Sequence, residues 1–327
     1  MILAGDIGGT KTLLALFDQQ QCVLERHFDS GHYPSFQALL TEFLGLIPDL
    51  EIKAACIGVA GPIVEGNCKT TNLPWHLVNH DISVQLGTSN VVLINDLEAA
   101  AWGVLTLPSD QFVSLNPLVP LRSRQGNCAV IAAGTGLGEA IVFHDGQDFH
   151  VIASEGGHAD FAPTTAQQIA LLEFMQTRYP AHVSYERLLS GAGIVAIYAF
   201  LKQAQADTTS TVLDVQLETA SDAAAMIGAA AVAETDATAV AALTLFAQIY
   251  GAEAGNLALK CLPYGGIYLA GGIAPKCLPI LAKGAFLEGF LAKGRYHQTL
   301  SEIAVHVCTE PQTGLLGARY VAQRRLI

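Results

Sequence analysis

Several short stretches of this 327-residue sequence combine side chains and glycines spaced for chemistry on a phosphate or a hydroxyl. Asp6-Ile7-Gly8-Gly9-Thr10-Lys11 lies between two apolar runs of strand length, Ile2 to Gly5 and Thr12 to Phe17. Two glycines let backbone approach a phosphate with no side chain in the way, and the Thr10 hydroxyl and N–H can donate to its oxygens. Asp6, at the end of a strand, can hold the hydrated metal that accompanies a polyphosphate. Asp and Gly suit an ordinary hairpin turn equally well, so the stretch taken singly leaves both readings open. Gly134-Thr135-Gly136-Leu137-Gly138, between Cys128–Ala132 and Glu139–Phe143, offers the same chemistry a second time. Facing one another across a cleft, two such turns would grip a polyphosphate from both sides. Neither fits another nucleotide signature: the first lacks the glycine before the lysine that a P-loop needs, and the second is not G-x-G-x-x-G.

Asn95-Asp96 follows the apolar run Val91–Ile94. A carboxylate at a strand end is fixed by a rigid scaffold, and with an ordinary pKa of about 3.9 it is ionised at neutral pH and ready to accept a proton. Both residue types also favour helix N-caps, so the pair alone does not decide between base and cap. Glu155 and His158 bracket Gly156-Gly157, a spacing that lets a tight loop aim two polar side chains at one ligand.

The elements that must position these residues alternate short strands with helices, the pattern of an α/β protein. Strands are predicted at Ile2–Gly5, Thr12–Phe17, Val23–Phe28, Ala54–Val59, Val91–Ile94, Cys128–Ala132, Glu139–Phe143, Ile267–Ala270 and Ile303–Val307. Helical patterns start at Pro34-Ser35, cover Glu98–Val104, and recur over Thr165–Thr177, Gly193–Ala204, Asp222–Glu234, Thr238–Leu259 and Leu315–Arg325. The length exceeds the roughly 250 to 300 residues at which one core stops growing, so two domains are expected. The pattern lapses from Leu107 to Gln125, around Pro117 and Pro120, which is the candidate crossing between them. Hydrophobic residues at 51% and charged residues at 14% supply apolar surface for two cores. The 29 acidic against 17 basic residues, a net charge of -12, argue against nucleic acid or anionic membrane as partners. Seven scattered cysteines form no C-x-x-C pair and read as reduced core residues. Asp6 interrupts any signal peptide, and the charge-free run Ala237–Ala252 is shorter than the 18 or so residues that span a bilayer. A cytoplasmic protein is expected.

The order Gly5-Asp6-Ile7-Gly8-Gly9-Thr10, Ile94-Asn95-Asp96, Gly134-Thr135-Gly136-Leu137-Gly138, Glu155-Gly156-Gly157-His158 and Ala270-Gly271-Gly272-Ile273 strongly resembles bacterial glucokinases, of the hexokinase, actin and heat-shock chaperone superfamily. Asp160-Phe161-Ala162-Pro163, Glu186-Arg187-Leu188-Leu189-Ser190-Gly191 and Gly314-Leu315-Leu316-Gly317 extend the resemblance over the whole chain. It implies a two-domain actin-like ATPase (ribonuclease H-like) fold with a duplicated β-meander core and an interdomain cleft. The implied small domain is 1–108 plus 309–327 and the large one 109–308. The implied activity is phosphorylation of D-glucose by ATP with Mg2+, giving glucose 6-phosphate. By resemblance Asn95 and Asp96 sit at the sugar, with Asp96 the catalytic base, and Glu155, His158 and Glu186 bind further hydroxyls. Asp6, Gly8, Gly9, Thr10, Gly134, Thr135, Gly136, Gly271 and Gly272 fall at ATP, with Asp6 on Mg2+ through water and the Gly271-Gly272 turn against the adenosine. A homodimer is expected from the family alone.

Two departures are visible: Lys11 stands where several members carry Asn, and Ala132-Ala133 where Gly-Ala is common. No cysteine-rich motif follows His158, which favours the zinc-free branch over the related repressor and kinase family. The alternatives are a kinase for fructose, mannose or N-acetylmannosamine, and a sugar-responsive regulator. The acidic charge and the lack of a helix-turn-helix segment before Ile2 speak against the regulator.

Overall fold

The computed structural model describes residues 1–46, 48, 50–70, 73–119, 126–204 and 211–326. Contacts divide the chain into two compact units, Met1–Ser109 with Val151–Ala153 and Glu310–Ile327, and Asp110–His150 with Ser154–Thr309.

In the first unit β1 (Ile2–Ile7), β2 (Lys11–Asp18) and β3 (Gln21–Asp29) form an antiparallel meander, and β4 (Ala54–Val59) pairs parallel to β1. β5 (Ile63–Val64), β6 (Asn67–Lys69) and β7 (His76–Val78) make a small separate sheet, and β8 (Val91–Asn95) completes the main one in the order β3-β2-β1-β4-β8. β4 is buried along its whole length, which is why its sequence reads as an unbroken apolar run. Alternate residues of β1 serve two faces. Leu3 and Ile7 pack with Phe36, Leu39 and Phe43 of α1 (Phe36–Gly45) and with Trp75, near α2 (Asn79–Leu86). Ile2 and Ala4 pack with Ala99 of α3 (Asp96–Thr106) and with Leu315, Ala318 and Ala322 of the closing helix, Thr313–Arg324. A Cβ at Gly317 would overlap the Ala99 carbonyl, so only glycine lets this helix pack backbone to backbone on α3.

The second unit repeats the path. β9 (Phe112–Ser114) comes first in the chain, followed by the meander β10 (Cys128–Ala133), β11 (Leu137–His144) and β12 (Phe149–Ser154), then β13 (Ile267–Ala270) and β14 (Val305–Cys308). The order β12-β11-β10-β13-β14-β9 repeats that of the first sheet, with β9 added antiparallel at the edge. This duplication is the α/β actin-like architecture expected from the sequence. Among the described residues the helices are α4 (Ala166–Gln176), α5 (Gly191–Ala204), α6 (Val212–Leu217), α7 (Ala223–Val232), α8 (Ala237–Cys261), α9 (Ile273–Lys276), α10 (Leu278–Leu281), α11 (Ala285–Leu291) and α12 (His297–Ser301). The apolar run at Ala237 belongs to α8, a 25-residue helix whose Leu243, Phe246, Tyr250 and Leu257 lie in the core of this unit.

Five strands were not expected: β5, β6 and β7 of the small sheet, β9 and β12. β9 is three residues long and falls in the stretch read as a domain crossing, of which residues 120–125 lie outside the described residues. β12 is partly exposed along its length, and its apolar run is only Val151-Ile152-Ala153. Six of the seven cysteines are buried and Cys22 is exposed, all of them free thiols.

Candidate active site

In the first unit the residues of interest collect at the carboxyl ends of three parallel strands, the usual ligand edge of such sheets. Ile7 of β1 is in register with Val59 of β4, and Val59 with Asn95 of β8. The turn after β1 is closed by Gly8 N–H donating to the Lys11 carbonyl at 2.9 Å, and Gly8 and Gly9 line a small crevice with Ala60 and Thr70. Asp6 is half-buried, and its carboxyl is pushed up to about 6, first by burial and then by the negative charge of Asp96. A side chain at Gly314 would come within 2.8 Å of Asp6 Oδ2, so the start of the closing helix leaves space beside that carboxyl.

Asn95 ends β8 and caps α3. Its Oδ1 accepts from Leu97 N–H at 2.9 Å and Glu98 N–H at 3.3 Å, and its Nδ2 donates to the Gly61 carbonyl at 3.3 Å. Asp96 is the first residue of α3, where its Oδ1 accepts the Leu97 N–H at 2.9 Å and the helix terminus favours negative charge. Gly58, the partner of Asp6 in β4, lets α3 come down onto the sheet: a Cβ there would be 3.0 Å from the Ala99 methyl and 4.0 Å from the Asp96 Cα.

In the second unit the turn after β10 is held by Gly134 N–H donating to the Gly136 carbonyl at 2.8 Å and by Gly191 N–H donating to the Gly134 carbonyl at 2.9 Å. Leu137 N–H donates to Glu186 Oε2 at 3.1 Å, and a Cβ at Gly136 would collide with that carboxylate. The loop after β12 makes one 3-10 turn, Gly156–His158, which the Tyr185 N–H to Ala159 carbonyl bond, 3.0 Å, ties to the Glu186 segment. His158 therefore stands between two acids, Nε2 3.9 Å from Glu155 Oε2 and Nδ1 3.9 Å from Glu186 Oε1. Glu155 and His158 are more than half exposed and Glu186 is 25% exposed, so the cluster is open to a polar ligand.

Ala132 of β10 is in register with Ala270 of β13, which brings the Gly271-Gly272 turn to the glycine turn after β10. Gly271 has φ +79, and a Cβ there would lie 2.6 Å from the Ala133 carbonyl. Beside these turns is a cavity of about 880 Å³ lined by Gly134, Thr135, Gly228, Gly272, Ile273 and Cys277 among others, with apolar walls of the kind that hold a flat ring. Sequence reasoning missed one wall, α7. Its signal was the run Ala223-Ala224-Ala225, Gly228 and Ala229, whose small side chains leave the space open.

The structure thus brings Asp6, the Gly8–Thr10 turn, Asn95 and Asp96 together in one unit. In the other it brings together Gly134–Gly136, Glu155, His158, Glu186, Gly271 and Gly272. Among the described residues no group of three or more His, Cys, Asp or Glu side chains is arranged to hold a metal alone.

The family model for glucokinase matches residues 3–325. A glucokinase of Nostoc sp. is 40% identical, with 99% of each chain covered. Among solved structures, glucokinase from an Antarctic psychrotroph superposes with a TM-score of 0.82 at 31% identity, covering 99% of this chain and 98% of its own. Glucokinase from Balamuthia mandrillaris, in complex with glucose, gives 0.82 at 25% identity, covering 98% and 93%. With a match from end to end, and the glycine turns and acids of both units falling within it, the chain belongs to the glucokinase family.

Proposed function

We propose that this chain transfers the γ-phosphoryl group of ATP to the 6-hydroxyl of D-glucose, giving glucose 6-phosphate. The observation that carries the reading is Glu186, one carboxylate engaged by both the glycine turn, through Leu137, and the histidine of the sugar-type loop, His158. A phosphate turn and a hydroxyl-binding cluster are thereby built as one piece of a kinase site.

The cavity beside Gly134 and Gly272 suits a nucleoside, which favours ATP over polyphosphate as donor. Glu155, His158 and Glu186 supply acceptors and a ring nitrogen for sugar hydroxyls. Asp96 is assigned as the base that takes the proton of the attacking hydroxyl, and Asn95, the cap of α3, is assigned to the sugar as well. Phosphoryl transfer asks mainly for positioning and charge stabilisation, which rigid strand ends and side-chain-free turns provide. Gly8, Gly9, Thr10, Thr135 and Gly136 are assigned to the phosphates and Gly271 to the adenosine.

The acidic residues fit a divalent cation. Asp6 feels the charge of Asp96, and a cation near Asp6 would relieve that repulsion. Mg2+ held there would supply positive charge to offset what develops on the phosphates. Asp6 would hold it through water. The functional lobes are assigned as 1–108 plus 309–327 and 109–308, the protein as a cytoplasmic homodimer. A coupled ADP-release assay over glucose, fructose, mannose and N-acetylmannosamine tests the substrate. Glucose should give the highest kcat/KM, and preference for another sugar by tenfold or so would overturn the assignment.

A further inference from the structure

Beneath the loop that carries Glu155 and His158 lies a pair of acids for which the proposed reaction has no use. Glu139 of β11 and Glu253 of α8 are each 1% exposed. Glu139 touches the loop directly: a Cβ at Gly156 would run into its Oε2. Its backbone is tied to the same residue, because the Ser154 hydroxyl donates to the Glu139 carbonyl at 3.0 Å and accepts the Gly156 N–H at 3.2 Å.

The two carboxyls lie close enough to share a hydrogen bond. Two carboxylates cannot do so, since both would be acceptors only. With both ionised, Glu139 Oε1 and Glu253 Oε1 are left buried without a partner. One proton between them removes both faults, and the surroundings say where it resides. Glu253 Oε2 accepts from Asn256 Nδ2 at 2.8 Å, Tyr185 also hydrogen-bonds Glu253, and Lys293 Nζ donates to Asn256 Oδ1 at 2.6 Å. Donors therefore surround the Glu253 carboxylate, whereas burial and the Glu253 charge push Glu139 up to about 8. Lys260 acts on both acids at longer range; Tyr250 and Cys261, whose own ionisation Glu139 opposes, stay neutral.

We propose that Glu139 is a positioning residue of the sugar site: held protonated, it donates to Glu253 and braces Gly156, which sets Glu155 and His158 for the sugar. The proposal rests on the reading that Glu155 and His158 bind that sugar. Loss of the proton puts two like charges in a closed space and drives Glu139 against the loop. Sugar affinity then falls, while the nucleotide cavity is untouched. Glu139→Gln keeps the shape and donates at every pH.

The experiment measures KM for glucose and for ATP, and kcat, between about pH 6.5 and 9.5 in wild type and Glu139→Gln. The wild-type glucose KM should rise about tenfold above pH 8 or so with ATP KM flat, and the variant should abolish the rise. A flat wild-type profile, or superimposable profiles in the two proteins, overturns the proposal. Should Glu139→Gln fold poorly, Gly156→Ala reads the same contact from the loop side. It should raise glucose KM about tenfold with ATP KM unmoved, and an unchanged glucose KM overturns the proposal. Carbon-13 carboxyl NMR of the wild type without substrates, with Gly156→Ala as comparison, should show a glutamate titrating above about pH 7 that is perturbed in the variant. Its absence overturns the proposal even if His158→Ala weakens glucose binding. A glucose KM unchanged by His158→Ala instead removes the sugar reading and leaves the titration standing.

Discussion

Glu186 Oε2 accepts the Leu137 N–H at 3.1 Å while its Oε1 lies 3.9 Å from His158 Nδ1, so one carboxylate links the glycine turn to the Gly156–His158 loop. A hydrogen bond to a charged group contributes about 1.5 to 3 kcal/mol, or roughly 10- to 100-fold in binding. Glu186→Gln should raise the glucose KM by about that factor. Gly136→Ala, whose methyl would displace the Glu186 carboxylate, should raise the KM for glucose and for ATP together. Steady-state kinetics with each substrate varied in turn distinguishes these outcomes, and an ATP KM unmoved by Gly136→Ala would uncouple the turn from Glu186.

Gly228 faces the cavity of about 880 Å³ from α7. A leucine there fills space where a nucleoside would lie, so Gly228→Leu should raise the ATP KM at least tenfold or so. Glucose binding without nucleotide, followed by intrinsic fluorescence, should be unchanged. An unaltered ATP KM would show that the nucleoside lies elsewhere.

Asn95 spends its Oδ1 on capping α3 and one Nδ2 hydrogen on Gly61. Removing a cap costs about 0.5 to 2 kcal/mol, so Asn95→Ala should lower the denaturation midpoint, while Asn95→Asp retains most of the stability. Both variants should raise the glucose KM, because neither keeps the amide. Normal glucose kinetics in Asn95→Asp would leave Asn95 a cap and nothing more.

Folding raises Glu139 from an ordinary glutamate value of 4.5 to about 8, so across that window the folded chain holds a proton that the unfolded chain releases. The stability this contributes is complete below the unfolded value and is lost as pH rises through the folded one, with a slope of at most about 1.4 kcal/mol per pH unit. Glu253 is shifted in the same direction by burial. Urea denaturation at several pH values between about 5 and 8.5 should show wild type losing stability more steeply than Glu139→Gln. Equal slopes would mean that no proton is taken up there on folding.

Much of the scaffold was legible because its signals are local. Ile2–Ile7 and Lys11–Asp18 are apolar strands flanking a glycine turn, Cys128–Ala133 and Leu137–His144 repeat the arrangement, and β4 is an unbroken buried run. β5, β6, β7, β9 and β12 escaped notice because a strand of two or three residues, or a half-exposed edge strand, needs no long apolar run. The turns at Gly8 and Gly134 and the residues Asp6, Asp96, Glu155 and His158 stood out by type and spacing and Glu186 and Gly271-Gly272 by resemblance, whereas the small residues of α7 carry no reactive group. Asn95-Asp96 was open to two readings, cap or sugar contact, and the structure gives Asn95 the cap while leaving an amide hydrogen over. Glu139 looked like one polar residue in a strand, since only tertiary packing brings it to Glu253 on a helix far along the chain.

The most direct test of the central claim follows glucose 6-phosphate formation from ATP and glucose in wild type and Asp96→Asn, with glucose affinity measured alongside. Wild type should form the product, and Asp96→Asn should lose roughly 100- to 10,000-fold in kcat while binding glucose within a few-fold of wild type. Wild-type turnover in Asp96→Asn, or no glucose 6-phosphate from the unaltered protein, would contradict it.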